Sequence, residues 1–185
     1  MRIWIVLAVT LIFVNSSFAL TTEEQRKVVA RARLEVTRGV VYNASYVRIK
    51  FPGGDVPQTQ GACVEVVIRA LRAIGYDLQE KMAKGKRVDH NLYHRRCSNQ
   101  IPYFRKYARS LTKDPNAIDW QPGDIIYWDL NGKGLLHTGI VSDKKNVFGR
   151  PYVIQNIGPS ASEDDALDLK DIGLPESKIV AHFRL

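Results

Sequence analysis

Cys63 stands near the start of Gly61-Ala62-Cys63-Val64-Glu65-Val66-Val67-Ile68-Arg69-Ala70-Leu71-Arg72, where two small residues lead into a helical pattern. A cysteine in the first turn of a helix faces unpaired backbone N–H groups and the positive end of the dipole. Both favour the thiolate, the nucleophilic form of sulfur. Thiol hydrolysis also needs a base, and a polar group that holds the base in place. His137 lies 74 residues on, within Leu135-Leu136-His137-Thr138-Gly139-Ile140-Val141, and Gln155-Asn156 begins 18 residues after it. Either amide can accept from one imidazole nitrogen and turn the other towards sulfur without adding charge. Gln155 and Asn156 therefore compete for the third place. Gly61-Ala62 should let a substrate backbone approach the thiol, and Gly139, on the same strand face as His137, should leave space beside the ring.

Positioning these groups requires a helix for Cys63 and strands for the rest. Val64, Val67, Ile68 and Leu71 recur at i, i+3, i+4 and i+7, which predicts a buried helix from Cys63 to near Gly75. Thr21-Thr22-Glu23-Glu24 matches a capping box, and Val28, Val29, Ala32 and Val36 extend a first helix towards Gly39. Val40 to Phe51 reads as extended or irregular. The turn-rich stretch from Pro52 to Gln60 reads as a loop that walls a cleft, with Asp55 a candidate substrate contact. A short helix is predicted over Leu78–Ala83. The polar run Asp89 to Cys97 reads as a basic lip or solvated loop, with Arg95 and Arg96 as further candidate substrate contacts. His90, His94 and Cys97 have the spacing of metal ligands on a helix, yet no second cysteine pair or HExxH pattern accompanies them, so no metal site is expected.

Ile101 to Leu111 predicts a helix burying Phe104, Tyr107 and Ala108. The period then changes to two. Gln121-Pro122-Gly123-Asp124 is a turn feeding a strand to Trp128, and further strands are predicted at 135–141, 152–157 and 179–185. Glu163 to Asp168 reads as an acidic, solvated connection. Helices first and antiparallel strands after give an α+β class, with the cysteine helix packed on a C-terminal sheet.

The first residues indicate export. Met1-Arg2 is a short positive start, Ile3 to Val14 an apolar run, and Ser17-Phe18-Ala19 a small-residue cleavage site, so residues 1–19 read as a secretory signal peptide and 20–185 as one domain. The apolar run is too short for the roughly 20 residues of a spanning helix, so no stable membrane insertion is expected after cleavage. With 27 Lys and Arg against 19 Asp and Glu, the chain carries a net +8, which suits an anionic partner such as a cell-wall polymer. Export makes nucleic acid the poorest fit. An oxidising compartment also permits a Cys63–Cys97 disulfide, in which case the chain would be a binding or structural domain.

The order of motifs, Gly-Ala-Cys at a helix start, Gln121-Pro122-Gly123-Asp124-Ile125-Ile126 at a strand start, then His137-Thr138-Gly139-Ile140-Val141-Ser142-Asp143, resembles the NlpC-type papain-like peptidases of bacterial cell walls. Tyr46 to Pro57 and Val66 to Arg72 are more closely similar to a bacterial secreted family, itself uncharacterised, within that superfamily. The resemblance implies a papain-like fold, Cys63 as nucleophile, His137 as base, and hydrolysis of peptide bonds in peptidoglycan outside the cytoplasm, with no cofactor. It places the third residue in the strand after the base, at Gln155 where relatives carry His, with Asn156 as the alternative. The Cys63 backbone N–H is the expected oxyanion donor, and Tyr46 is a second by analogy, with core packing its alternative. Glu65 stands where Asp is expected, and Cys97 at an apolar position of relatives. A thiol hydrolase acting on an ester, a lipid or another non-peptidoglycan substrate fits the same residues.

Overall fold

The structure, a computed structural model, describes residues 19–185. The predicted signal peptide, Ala19 apart, lies outside the described residues. Helix α1 (Thr22–Thr37) opens on the expected box: the Thr21 hydroxyl accepts from the Glu24 N–H at 3.2 Å, and the Glu24 carboxylate accepts from the Thr21 N–H at 2.8 Å. Two-residue strands β1 (Val41–Tyr42) and β2 (Gln60–Gly61) pair in parallel beside it. Helices α2 (Cys63–Arg72) and α3 (Leu78–Ala83) follow where the periodicity puts them.

Helix α4 (Cys97–Tyr107) begins and ends four residues earlier than its sequence pattern suggests. Its start is fixed by the Arg96 carbonyl, which accepts from both the Asn99 and Gln100 N–H groups. Gln100 there is buried rather than solvated: its amide donates to the His94 carbonyl at 2.8 Å and accepts from the Tyr127 hydroxyl at 2.7 Å. Tyr107, expected in the core, is 54% exposed at the last position of the helix, while Phe104 remains buried.

Strands β3 (Arg109–Ser110), β4 (Ile125–Asp129), β5 (Leu136–Lys145), β6 (Pro151–Gln155), β7 (Ser162–Asp164) and β8 (Lys178–Arg184) form one antiparallel sheet in the order β3-β8-β4-β5-β6-β7. One face carries Tyr127, Ile140, Ile154 and Phe183 onto the core with Val28 of α1, Val67 of α2 and Phe104 of α4. The other carries Ile126, Trp128, Val141 and Val153 against Trp120, Leu167 and Leu169. The Gln121-to-Asp124 turn ties this sheet together. Asp124 accepts from the Gln121 N–H at 2.9 Å, from Arg184 Nε at 2.7 Å and from His182 Nε2 at 2.8 Å, linking the β4 turn to β8. Gly123, at φ +88°, lets that turn close onto the Val141 carbonyl of β5.

The acidic stretch at 163–168 is not a solvated connection. Its first residues form β7, and Glu163 binds Arg33 of α1, Lys144 and Ser142 of β5. Among the described residues no helix is long and apolar enough to cross a membrane.

Candidate functional site

Cys63 is the first residue of α2, and the side chains of Val64, Val67, Ile68 and Leu71 bury that helix in the core. Each such side chain contributes about 1.5–3 kcal/mol of burial, so the helix is a rigid base for its first turn. As the first residue of the helix Cys63 has an N–H with no intrahelical partner, and Ala62 at the N-cap offers no side-chain cap. Glu65 instead accepts from the Ala62 N–H at 2.6 Å and from Arg95 Nε at 2.5 Å. Burial raises the Glu65 carboxyl pKa against the pull of Arg95.

His137 is the second residue of β5, at the end of the strand that abuts the Cys63 turn. Its ring stacks on Trp128 with centroids 5.5 Å apart. Its Nε2 meets Gln155 Oε1 at 2.7 Å, and both groups are buried. Gln155 reaches it because Gln155 pairs with Gly139 across the β5–β6 ladder, on the strand face that also bears His137. Asn156 points elsewhere: its amide donates to the Val40 and Gly61 carbonyls at 3.2 and 3.1 Å, holding the backbone that enters α2. The Cys63 thiol is held well below its ordinary pKa by a hydrogen bond from Cys97 and by the His137 ring and Thr138 N–H, against the opposing effect of burial. The Cys97 thiol is pushed up by its contact with Cys63 and by burial. Both cysteines are free.

A groove of about 270 Å³ opens over the thiol, walled by Tyr42, Ala44, Arg95, Arg96, Ser98 and Leu136. Larger cavities of about 460 and 530 Å³ lie on other parts of the surface and are not lined by Cys63. Of the three candidate substrate contacts, Arg96 is exposed at the groove, while Arg95 is buried in its Glu65 ion pair and presents only part of the wall. Asp55 does not join the groove. Its carboxylate is bound by Arg69 Nε at 2.9 Å, and Arg69 also reaches Glu35 and the Gln60 carbonyl, so the 52–60 loop is tied to α2 rather than free to wall a cleft.

Tyr46 is 53% exposed and its hydroxyl accepts from the Asn91 amide at 2.8 Å, so it neither packs in the core nor faces the thiol. Tyr42 is the tyrosine on the groove, with its pKa raised by burial and by the Cys63 charge. The two glycines also act differently from their sequence reading. A Cβ at Gly61 would lie 2.8 Å from Glu65 Cβ, and one at Gly139 would lie 2.7 Å from Val153 Cγ1. Both admit close packing of the protein's own chain. His90 stacks on Phe51, burial depresses the His94 pKa to about 4, and no group of three or more His, Cys, Asp or Glu side chains converges among the described residues.

Sequence reasoning missed Asp164, which accepts from the Gln155 amide at 3.3 Å. The only signal for it was an acidic residue one strand beyond the amide.

In overall shape the chain is similar to a Staphylococcus aureus crystal structure described as similar to a lipoprotein of the NLP/P60 family, with a TM-score of 0.50 and 14% identity. That match covers 92% of this chain and 44% of the other, so the chain spans less than half that protein's length, and the likeness is one of fold. The uncharacterized protein YijF of Escherichia coli (strain K12) is 42% identical over 150 residues, 74% of this chain and 73% of the relative. The model of the family described as a domain of unknown function, DUF1287, matches residues 29–185, and the chain belongs to that family.

Proposed function

We propose that this protein is an exported cysteine peptidase or amidase of papain-like fold that hydrolyses amide bonds in peptidoglycan peptides. The observation that carries this reading is the imidazole held by an amide: His137 Nε2 meets Gln155 Oε1 at 2.7 Å, which leaves the other ring nitrogen for Cys63 at the start of α2, whose thiol pKa the His137 ring helps to lower. The fold likeness to an NLP/P60-family protein supports it.

In the proposed reaction the Cys63 thiolate attacks a carbonyl carbon, and the Cys63 N–H stabilises the oxygen that becomes negative. An oxyanion donor of this kind is commonly worth ~2.7–4 kcal/mol. His137 gives its Nδ1 proton to the leaving amine, leaving a thioester, and then takes a proton from the water that hydrolyses it. Arg96 at the groove suits the carboxylates of stem peptides.

The test is turnover of purified sacculi, with products identified by mass spectrometry. Cys63→Ala and His137→Ala are each expected to abolish cleavage while Tm stays within about 3 °C of wild type. Cleavage at the wild-type rate by both variants rejects the reading. A second reading rests on Cys97 beside Cys63: a locked disulfide in protein isolated from its native compartment makes the chain a binding domain, and a titration finding two free thiols rejects that alternative.

A further inference from the structure

The hydrogen bonds behind His137 continue past Gln155. In the β6–β7 ladder Gln155 pairs with Ser162, and Asp164 stands two residues along on the same face, where its Oδ1 accepts from Gln155 Nε2 at 3.3 Å. An ionised carboxylate only accepts. The amide NH2 is therefore committed to Asp164, and Oε1 to His137 at 2.7 Å. An amide oxygen requires a donor in turn, so Nε2 carries its hydrogen and Nδ1 is the nitrogen left for the thiol.

The two ends of an amide are almost equal in shape, and a partner on the far side is what tells them apart. With the amide reversed, NH2 would face Nε2 and favour the Nδ1–H tautomer. That ring has no lone pair to offer the thiol proton. We infer that Asp164 is a positioning residue: it sets which end of Gln155 faces His137, and through it which imidazole nitrogen serves Cys63. The consequence for rate rests on the proposed hydrolysis, whereas the tautomer is a property of the resting protein.

Two measurements test this. First, long-range 1H–15N spectra of Cys63→Ala, in which the imidazole is not paired with a thiolate, are expected to show His137 with Nε2–H. Adding Asp164→Ala should bring up the Nδ1–H form. Second, Asp164→Ala should lower kcat on sacculus peptides by about tenfold with KM within about twofold. In a Gln155→Glu background the carboxylate has no wrong end, so the same substitution should cost nothing.

An equal loss in both backgrounds overturns the inference, because it marks a structural role. So does an unchanged Nε2–H tautomer in the Asp164→Ala protein, or an Asp164→Ala chain that fails to fold. If Cys63→Ala and His137→Ala keep turning over substrate, the hydrolysis reading fails on its own, and the tautomer spectra still decide the role of Asp164.

Discussion

The thiolate at Cys63 is stabilised by the Cys97 S–H, the His137 ring and the Thr138 N–H, and opposed by burial. Cys97 gives the largest of these contributions, so Cys97→Ala should raise the Cys63 pKa and slow alkylation below neutral pH. Iodoacetamide rates measured against pH check this: the acid limb should move upward, with less thiolate at the foot of the curve. An unmoved limb means that His137 and the backbone suffice. At this scale the sequence showed which residue types could do the chemistry and much less about where they point. Cys63 and His137 were legible because each occupies a regular element whose periodicity sets its direction, whereas periodicity left Gln155 and Asn156 in competition. Asp55 and Tyr46 sit in irregular chain, where direction follows from partners such as Arg69 and Asn91 that no local pattern reveals.

Helix α1 is docked to the sheet partly through charge. Glu163 of β7 accepts from Arg33 Nε at 2.9 Å, from the Ser142 hydroxyl at 2.5 Å and from Lys144 Nζ at 2.8 Å, and Arg33 also pairs with Asp143. Burial pushes the Glu163 carboxyl up, and these hydrogen bonds outweigh it, bringing the pKa from 4.5 to about 2. The pKa is depressed by folding. The associated stability is therefore present above the unfolded value near 4.5 and is lost as pH falls through about 2. Allowing for solvent screening, Glu163→Gln should cost on the order of 1–2 kcal/mol at pH 7. Urea unfolding at pH 7 and pH 2 is the measurement: the gap between variant and wild type should close at the acid end, and a gap that persists there assigns the cost to packing instead. The same residues explain which elements were hard to read. Helices α1 and α3 carry their own side-chain caps and α2 its apolar stripe, so local sequence predicts them. Strand β7 is a strand because Ile154 and Val153 supply ladder partners from another part of the chain, and α4 starts at Cys97 because the Arg96 carbonyl and the His94 and Tyr127 contacts of Gln100 accommodate its polar first turn. Such long-range partners override a polar composition that alone reads as loop.

Over the whole molecule, the order of helices and strands was enough to give an α+β class with a C-terminal antiparallel sheet, because the change of period near Trp120 divides the chain. The excess of 27 basic over 19 acidic residues is a property of the same scale. Glu35, Glu65 and Asp124 are buried in ion pairs with Arg69, Arg95 and Arg184 that cancel, so the basic excess rests on side chains outside them, such as Lys81, Lys84 and Lys86, which line an open cavity with Tyr76 and Tyr103. An anionic polymer therefore meets a surface field set by many cations rather than by one residue of the groove. Cys63→Ala protein, which the proposed reaction leaves unable to cut, should co-sediment with sacculi at ~0.02 M salt and be largely released at ~0.5 M, where the screening length is shorter than the spacing of most surface charges. Arg96→Glu in that background should weaken retention by less than about threefold, since it changes one charge among many. Retention that is indifferent to salt, or that Arg96→Glu alone abolishes, would mean that sacculi are recognised at a discrete groove contact and not by the field of the molecule.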